Sequence, residues 1–300
     1  MTNKPKSHFT LSVTCFCALL LMLSFISVGC HDSERDEDIE TLTAKEMALA
    51  YHIMDDAWRE VHRIALQDIL IGSPDSLTID NFGLNTCVEQ FSVSDTVAIF
   101  PLIMSIKYGF KDYQIRDSAK ICDDGFERSG FIYASFSGKY LNKGSEIEIT
   151  FDDYSKDGFT VEGTSRLTNL GLNSNGYMHF LWEVQDCRIT STNTDFTWEG
   201  THTNIWVAGR STTDQGAVDD DVVLITGISQ GRNSRGNTFF NEITSSYTSD
   251  LSCQWFTAGR SELDIPNLEA RSINFGDKTK CDNILIERRN NTYFDVEIPY

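Results

Sequence analysis

From residue 82 to residue 300 the chain is built of short runs in which every second residue is apolar. In PLIMSIKYG, Leu102, Met104, Ile106 and Tyr108 fall on one side. In EIEITFDDY, Ile147, Ile149 and Phe151 share a face, with Glu146, Glu148 and Thr150 on the other. In GYMHFLWEVQDCRI, Met178, Phe180, Trp182 and Val184 fall together. A period of two with one polar face predicts antiparallel strands buried on one side. The breaks are short and rich in Gly, Asn, Asp and Ser, so strands adjacent in sequence are expected to be adjacent in the sheet. The expected fold is mainly β: an antiparallel meander, either an extended sheet or a sandwich.

Ahead of it the period changes. Met47, Tyr51, Met54, Trp58, Val61 and Ala65 recur at intervals of three and four, which predicts one amphipathic helix over about 43–72. Thr43 with Glu46 resembles a capping box, and Gly72, Ser73 and Pro74 should end the helix. His52, Asp55, Asp56, Glu60 and His62 decorate it and read as a solvated polar face. His52 and His62 lie ten residues apart, off any common face of a straight helix, so one metal ion cannot take both.

The start of the chain is different again. Lys4 and Lys6 precede an almost wholly apolar stretch from Phe9 to Val28, then Gly29 and Cys30. A basic start, an apolar core and small residues before the cut make a secretory signal over 1–29. Ser27-Val28-Gly29-Cys30 resembles the lipobox of bacterial lipoproteins, departing from it at Ser27, where leucine is usual. The resemblance implies that Cys30 becomes the acylated first residue. Several acyl chains, at about 0.8 kcal/mol per buried methylene, hold a protein to a membrane where one barely would. Cys15 and Cys17 are followed by more apolar residues and suit that role poorly. Next come Asp32, Glu34, Asp36, Glu37, Asp38 and Glu40, opposed only by Arg35. Such a block makes a solvated tether over 30–42. It also resembles the acidic export signal of Bacteroidetes lipoproteins displayed on the outer face of the outer membrane.

Lys4 and Lys6 leave with the signal, so the 25 basic residues become 23 against 44 acidic ones, and the net charge moves from −19 to −21. That surface repels nucleic acid and anionic headgroups, so the expected attachment to the membrane is through the lipid anchor. A glycan or another envelope protein is the expected partner.

The stretches SIKYG, CDDGFERSGFIYASFSGKY, EIEITFDDYSKDGFTVEGTSRLTNLG, VVLITGISQGRNSRG and SINFGDKTKCDN resemble those of a family of Bacteroidetes surface lipoproteins. The likeness runs from Cys87 to the end, about two thirds of the chain, and is most specific between Cys122 and Gly171. It implies an all-β, secreted, lipid-anchored protein and no particular activity.

Candidate chemistry is sparse. GISQG, Gly227 to Gly231, matches the G-x-S-x-G of serine hydrolases, which works only where a strand turns sharply into a helix. Here RNSRGN follows, which is hairpin material, and no histidine lies downstream of Ser229. No H-E-x-x-H or paired C-x-x-C is present, so no metal and no cofactor is expected. Asp219, Asp220 and Asp221, and the pair Asp152 and Asp153, lack the spacing of a calcium loop and read as turns. Trp198 and Trp206 flank EGTHTNI; exposed, they would stack on sugar rings, but core packing is the expectation. DSL at 75, DTV at 95 and DSA at 117 resemble Bacteroidetes O-glycosylation sites, with Ser76, Thr96 and Ser118 as acceptors. Asn290-Asn291-Thr292 is a sequon whose use a bacterial host makes improbable.

The cysteines follow an internal duplication, which divides 82–300 into related parts of about 87–215 and 216–300. SIKYG begins 18 residues after Cys87 and SINFG 19 after Cys253; Pro101 and Pro266 precede them, and Cys122-Asp123 and Cys281-Asp282 follow. In each copy a strand leaves the first cysteine, turns near the proline and returns beside its own start. The second cysteine then arrives near the first, which predicts disulfides Cys87–Cys122 and Cys253–Cys281. Cys187 is left unpaired, a small buried apolar residue. The expected function is a surface-exposed outer-membrane lipoprotein acting as a non-catalytic binding or structural module. The alternative is a carbohydrate-active hydrolase using a carboxylate pair that the sequence does not identify.

Overall fold

The computed structural model describes residues 40–66, 87–94, 100–109, 120–215 and 218–299. Cys30, Asp32, Glu34, Asp36, Glu37, Asp38, Ser76, Thr96 and Ser118 lie outside them, so the lipidation, export and O-glycosylation positions do too.

Among the described residues one α-helix, α1 (Leu42–Ala65), precedes fourteen strands: β1 (Val88–Val93), β2 (Leu102–Tyr108), β3 (Lys120–Ile121), β4 (Glu127–Phe136), β5 (Glu146–Lys156), β6 (Phe159–Leu172), β7 (Met178–Thr190), β8 (Asp195–Ala208), β9 (Val222–Arg232), β10 (Thr238–Asp250), β11 (Phe256–Asp264), β12 (Arg271–Asp277), β13 (Ile284–Arg289) and β14 (Thr292–Glu297). All the strands belong to one antiparallel sheet. Thirteen of them pair in chain order, and β3 adds a short pairing with β4. The meander is therefore a single sheet and not a sandwich. Alternation sets its inner face: Leu102, Met104, Ile106 and Tyr108 of β2 are buried, as are Met178, Phe180, Trp182 and Val184 of β7.

The helix departs from expectation in two ways. Its capping box does not form. The carboxylate of Glu40 accepts from Thr43 N–H (2.9 Å) and Thr43 Oγ1 (3.2 Å), while Glu46 accepts from Ser234 N–H at 2.9 Å. Its polar face is also not solvated. His52, Asp55, Glu60 and His62 are all buried, His62 at 1% exposure. The reason is that the sheet curls round the helix, and side chains from β2 to β13 reach it. Tyr108 of β2 donates to Glu60, Arg128 of β4 and Lys156 of β5 meet Asp56, and Ser249 of β10 donates to Asp55. At the helix start, Arg289 of β13 donates to the Glu40 carbonyl at 2.6 Å. An amphipathic helix on one side of a sheet needs one apolar face. A helix with sheet on every side needs each polar group paired as well.

A sheet can curl this tightly because bulges bend it. Gly130 of β4 (φ +83°) lies opposite Asp153 (φ +50°), where the β4–β5 register shifts between Ser129 and Phe131. Gly163 of β6 (φ +119°) lies opposite Asp186 (φ +52°) and Cys187, where the β6–β7 register shifts between Glu162 and Thr164. In each case a strand position without a Cβ lets the bulged neighbour approach. Asp152 and Asp153, expected in a turn, lie within β5, and Asp153 is one of these bulge residues.

Both expected disulfides are present, with Cα separations of 4.7 Å for Cys87–Cys122 and 5.7 Å for Cys253–Cys281. Each first cysteine leads into a hairpin, β1–β2 and β11–β12, with Val88 facing Tyr108 and Ala258 facing Asp277 across the return. The closed loops span 35 and 28 residues. By the chain-entropy estimate each constrains the unfolded chain by about 3.5–4 kcal/mol. Cys187 is free and buried, and burial pushes its thiol well above the usual range.

Candidate functional site

Two polar constellations stand out: a set of buried networks that grip α1, and a groove on the outer face of the sheet.

The largest network centres on Asp56. Arg128 donates to it through two nitrogens (2.7 and 3.3 Å) and to Asp124 through two more bonds (2.7 and 2.9 Å). Lys156 Nζ lies 2.9 Å from Asp56 Oδ1 and 3.8 Å above the Phe126 ring. Burial by itself would push the Asp56 carboxyl upward, but the charges of Arg128 and Lys156 outweigh it and hold it well below the usual carboxylate range. Burial pushes the Lys156 ammonium down to about 8, partly offset by Asp56. Both sheet cations are buried within strands, and the sequence offered no sign of them beyond their presence in the stretches quoted above.

A second network holds the far end of α1. His62 bonds Tyr140 through Nδ1 (2.7 Å) and Asp221 through Nε2 (3.0 Å), and Trp206 Nε1 donates to the other oxygen of Asp221. Asp221 is thus a core residue. Trp206 and Trp198 are both buried, so neither is free to stack on a sugar.

The third network contains the G-x-S-x-G serine. Ser229 Oγ lies 3.1 Å from the hydroxyl of Tyr51, whose oxygen is 2.7 Å from His202 Nε2. Ser229 is 2% exposed and sits within β9, which runs on through Arg232 without turning into a helix. A tyrosine hydroxyl separates it from the imidazole, and the group packs among Trp182, Trp198 and Tyr247 around Tyr51. The hydroxyl is turned toward the helix, and the trio ties Tyr51 to β8 and β9.

Burial alone pushes the His202 imidazole down to about 3 from 6.5. The folded pKa lies below the unfolded one, so between these values only the unfolded state takes the proton. The contribution of His202 is whole above pH 6.5 and is lost as pH falls, at up to about 1.4 kcal/mol per pH unit. Urea unfolding of His202→Phe beside the parent should show a shallower fall in stability between pH 6.5 and 4. Parallel curves would mean that His202 is not held neutral.

Among the described residues no group of three or more His, Cys, Asp or Glu is placed to hold a metal ion. Asp55 and Glu60 have carboxyls raised by burial, yet both face the core and not a cleft.

The groove lies on the outer face, across β6 to β10. Its larger part has a volume of 590 Å³ and a smaller one of 260 Å³, and the two share Glu199 and Gln230. Cross-strand register sets its rows. Glu162 faces Arg188, Arg188 faces Thr197, Thr197 faces Arg232, and Arg232 faces Thr238. In the next row Glu199 faces Gln230, which faces Phe240, and Gln230 Nε2 donates to Glu199 Oε1 at 2.5 Å. A depression on an outer face needs a cause, and the bulge in β7 supplies it. There the β7–β8 register shifts between Val184 and Cys187, and the Gly163 position of β6 lets Cys187 sink inward. Sequence reading missed this site because its residues are the polar alternates of ordinary strands.

The Asn290-Asn291-Thr292 sequon forms the exposed turn between β13 and β14. No protein family, no curated protein and no solved structure matches the chain.

Proposed function

We propose that this protein is an outer-membrane lipoprotein, anchored through acyl chains on Cys30 and displayed at the cell surface, which serves as a non-catalytic binding or structural module of the envelope. The observation that carries this reading is the run from Phe9 to Glu40: an apolar segment, Ser27-Val28-Gly29-Cys30, then a dense acidic block. Two disulfides suit a compartment outside the cytoplasm. No helix among the described residues is long and apolar enough to cross a membrane. The titratable groups most perturbed by burial serve to fasten α1 inside the sheet, which suits a rigid module better than a catalyst.

Cys30→Ser should abolish acyl labelling and either release the protein from membranes or leave the precursor uncut. Replacing Asp32, Glu34, Asp36, Glu37 and Asp38 by their amides should turn a protease-accessible protein into a protected one in intact cells. A Cys30→Ser protein that is cut and membrane-bound like the parent would remove the lipid anchor from this reading. Unchanged protease accessibility would leave the acids as a tether alone.

A further inference from the structure

We propose that the outer-face groove across β6–β10 binds a neutral oligosaccharide, with Phe240 as the stacking surface and the Glu199–Gln230 pair bonding sugar hydroxyls. This rests on the reading of the protein as a binding module and names its site and ligand class.

The chemistry of the lining selects the ligand. A sugar presents an apolar ring face and a fringe of hydroxyls that both donate and accept. Phe240 is 39% exposed and Ile228 45%, on adjacent strands and diagonal to one another on an otherwise polar surface. Together they give the smaller part of the groove an apolar patch for a ring face, next to the Glu199 and Gln230 that the two parts share. Gln230 lies directly between Glu199 and Phe240 in the cross-strand row. Its amide both donates and accepts, and the carboxylate of Glu199 accepts only. That pair matches vicinal hydroxyls, which can take the hydrogen bond that Gln230 now gives to Glu199.

The shape agrees. A groove crossing the strands repeats its side chains at the strand spacing, ~4.8 Å, close to the length of one pyranose residue. A chain of sugars lying across β6 to β10 therefore meets an equivalent row position at each step. Its larger part, at 590 Å³, accommodates more than a single small molecule's worth of ring.

Charge excludes the competitors. Glu162, Glu183, Asp186 and Glu199 line the groove against Arg188 and Arg232, and Arg188 is already bonded to Asp195 through two nitrogens at 2.7 and 2.8 Å. The site is net acidic on a chain that is itself strongly acidic, which repels uronic-acid polymers and phosphates. A cationic peptide also fits the charge, but an oligolysine offers no ring face to Phe240 and Ile228.

The test is calorimetric titration of the detergent-solubilised full-length lipoprotein with cellohexaose, maltohexaose, mannohexaose and xylohexaose. Hexagalacturonate and hexalysine provide the anionic and cationic arms. At least one neutral hexasaccharide should bind with a Kd between about 1 μM and 1 mM, and Phe240→Ala and Gln230→Ala should each weaken it by about tenfold. Both positions face solvent, so the variants should melt with the parent. The proposal is overturned if none of the neutral sugars binds, if both variants bind as the parent does, or if hexagalacturonate or hexalysine alone is taken up. Binding followed by cleavage would keep the groove and overturn the non-catalytic reading instead, so the two failures are distinct.

Discussion

Replacing Asp56 by alanine should cost roughly 3–5 kcal/mol, the expected price of stranding two buried cations. Arg128 and Lys156 are both fully buried, and Asp56 is the carboxylate they share. Arg128 keeps Asp124, whereas Lys156 loses its ion-pair partner and keeps the Phe126 ring beneath it. The unfolded chain hydrates both cations freely, so the whole loss falls on the folded state. Two comparisons isolate the mechanism. Asp124→Ala removes a partly exposed partner and should cost about 1 kcal/mol. Exchanging the trio together, as Asp56→Leu, Arg128→Met and Lys156→Met, should be far milder than Asp56→Ala, because no fully buried charge is stranded; Asp124 loses Arg128 but is partly exposed to water. Urea unfolding measures all three. An Asp56→Ala protein within 1 kcal/mol of the parent would show that water reaches these cations.

A second large effect is expected at Gly130. A Cβ built there lies 2.2 Å from the backbone oxygen of Asp153 and 2.7 Å from the nitrogen of Tyr154. Backbone cannot swing aside as a side chain can, so β4 and β5 would have to part where the sheet bends. Gly130→Ala should cost roughly 2–4 kcal/mol, combining overpacking with the strain of a positive φ. Gly125 separates the two contributions. Its φ is +88°, almost the same, but nothing lies within 4 Å of its would-be Cβ. Gly125→Ala should therefore cost only about 1 kcal/mol. Equal melting temperatures for the two variants would mean that the close approach at Gly130 contributes nothing.

Much of the architecture was legible in the sequence, because each strand buries one side and writes that as a period of two. The disulfides were legible for a related reason: each pair closes a local hairpin, so spacing along the chain is enough to bring the cysteines together. The setting of the helix was not. Periodicity identifies Met47, Tyr51 and Trp58 as an apolar face, but it cannot say what stands opposite Asp56 or His62. Their partners Arg128, Lys156, Tyr140 and Asp221 come from elements whose placement depends on how the sheet coils. That coil depends on bulges, and a bulge is written only as a glycine and a local slip of register. The groove was hidden by the same device. Glu199, Gln230 and Phe240 look like any outward-facing residues until pairing aligns them.

The caged helix imposes an order of events on folding. Among the described elements it is the first to be made, yet its partners come late. Thr43 waits for Asn233, Arg59 for Cys253, and Glu40 for Arg289, separations of 190, 194 and 249 residues. The hairpins between are local and can form as they emerge, whereas enclosing the helix requires contacts of long sequence separation, which form slowly. A chain cut short before β12 would lack Arg271 and Arg289, which hold Glu40 at the start of α1. The grip on the start of α1 is therefore the last part of the enclosure to form in chain order.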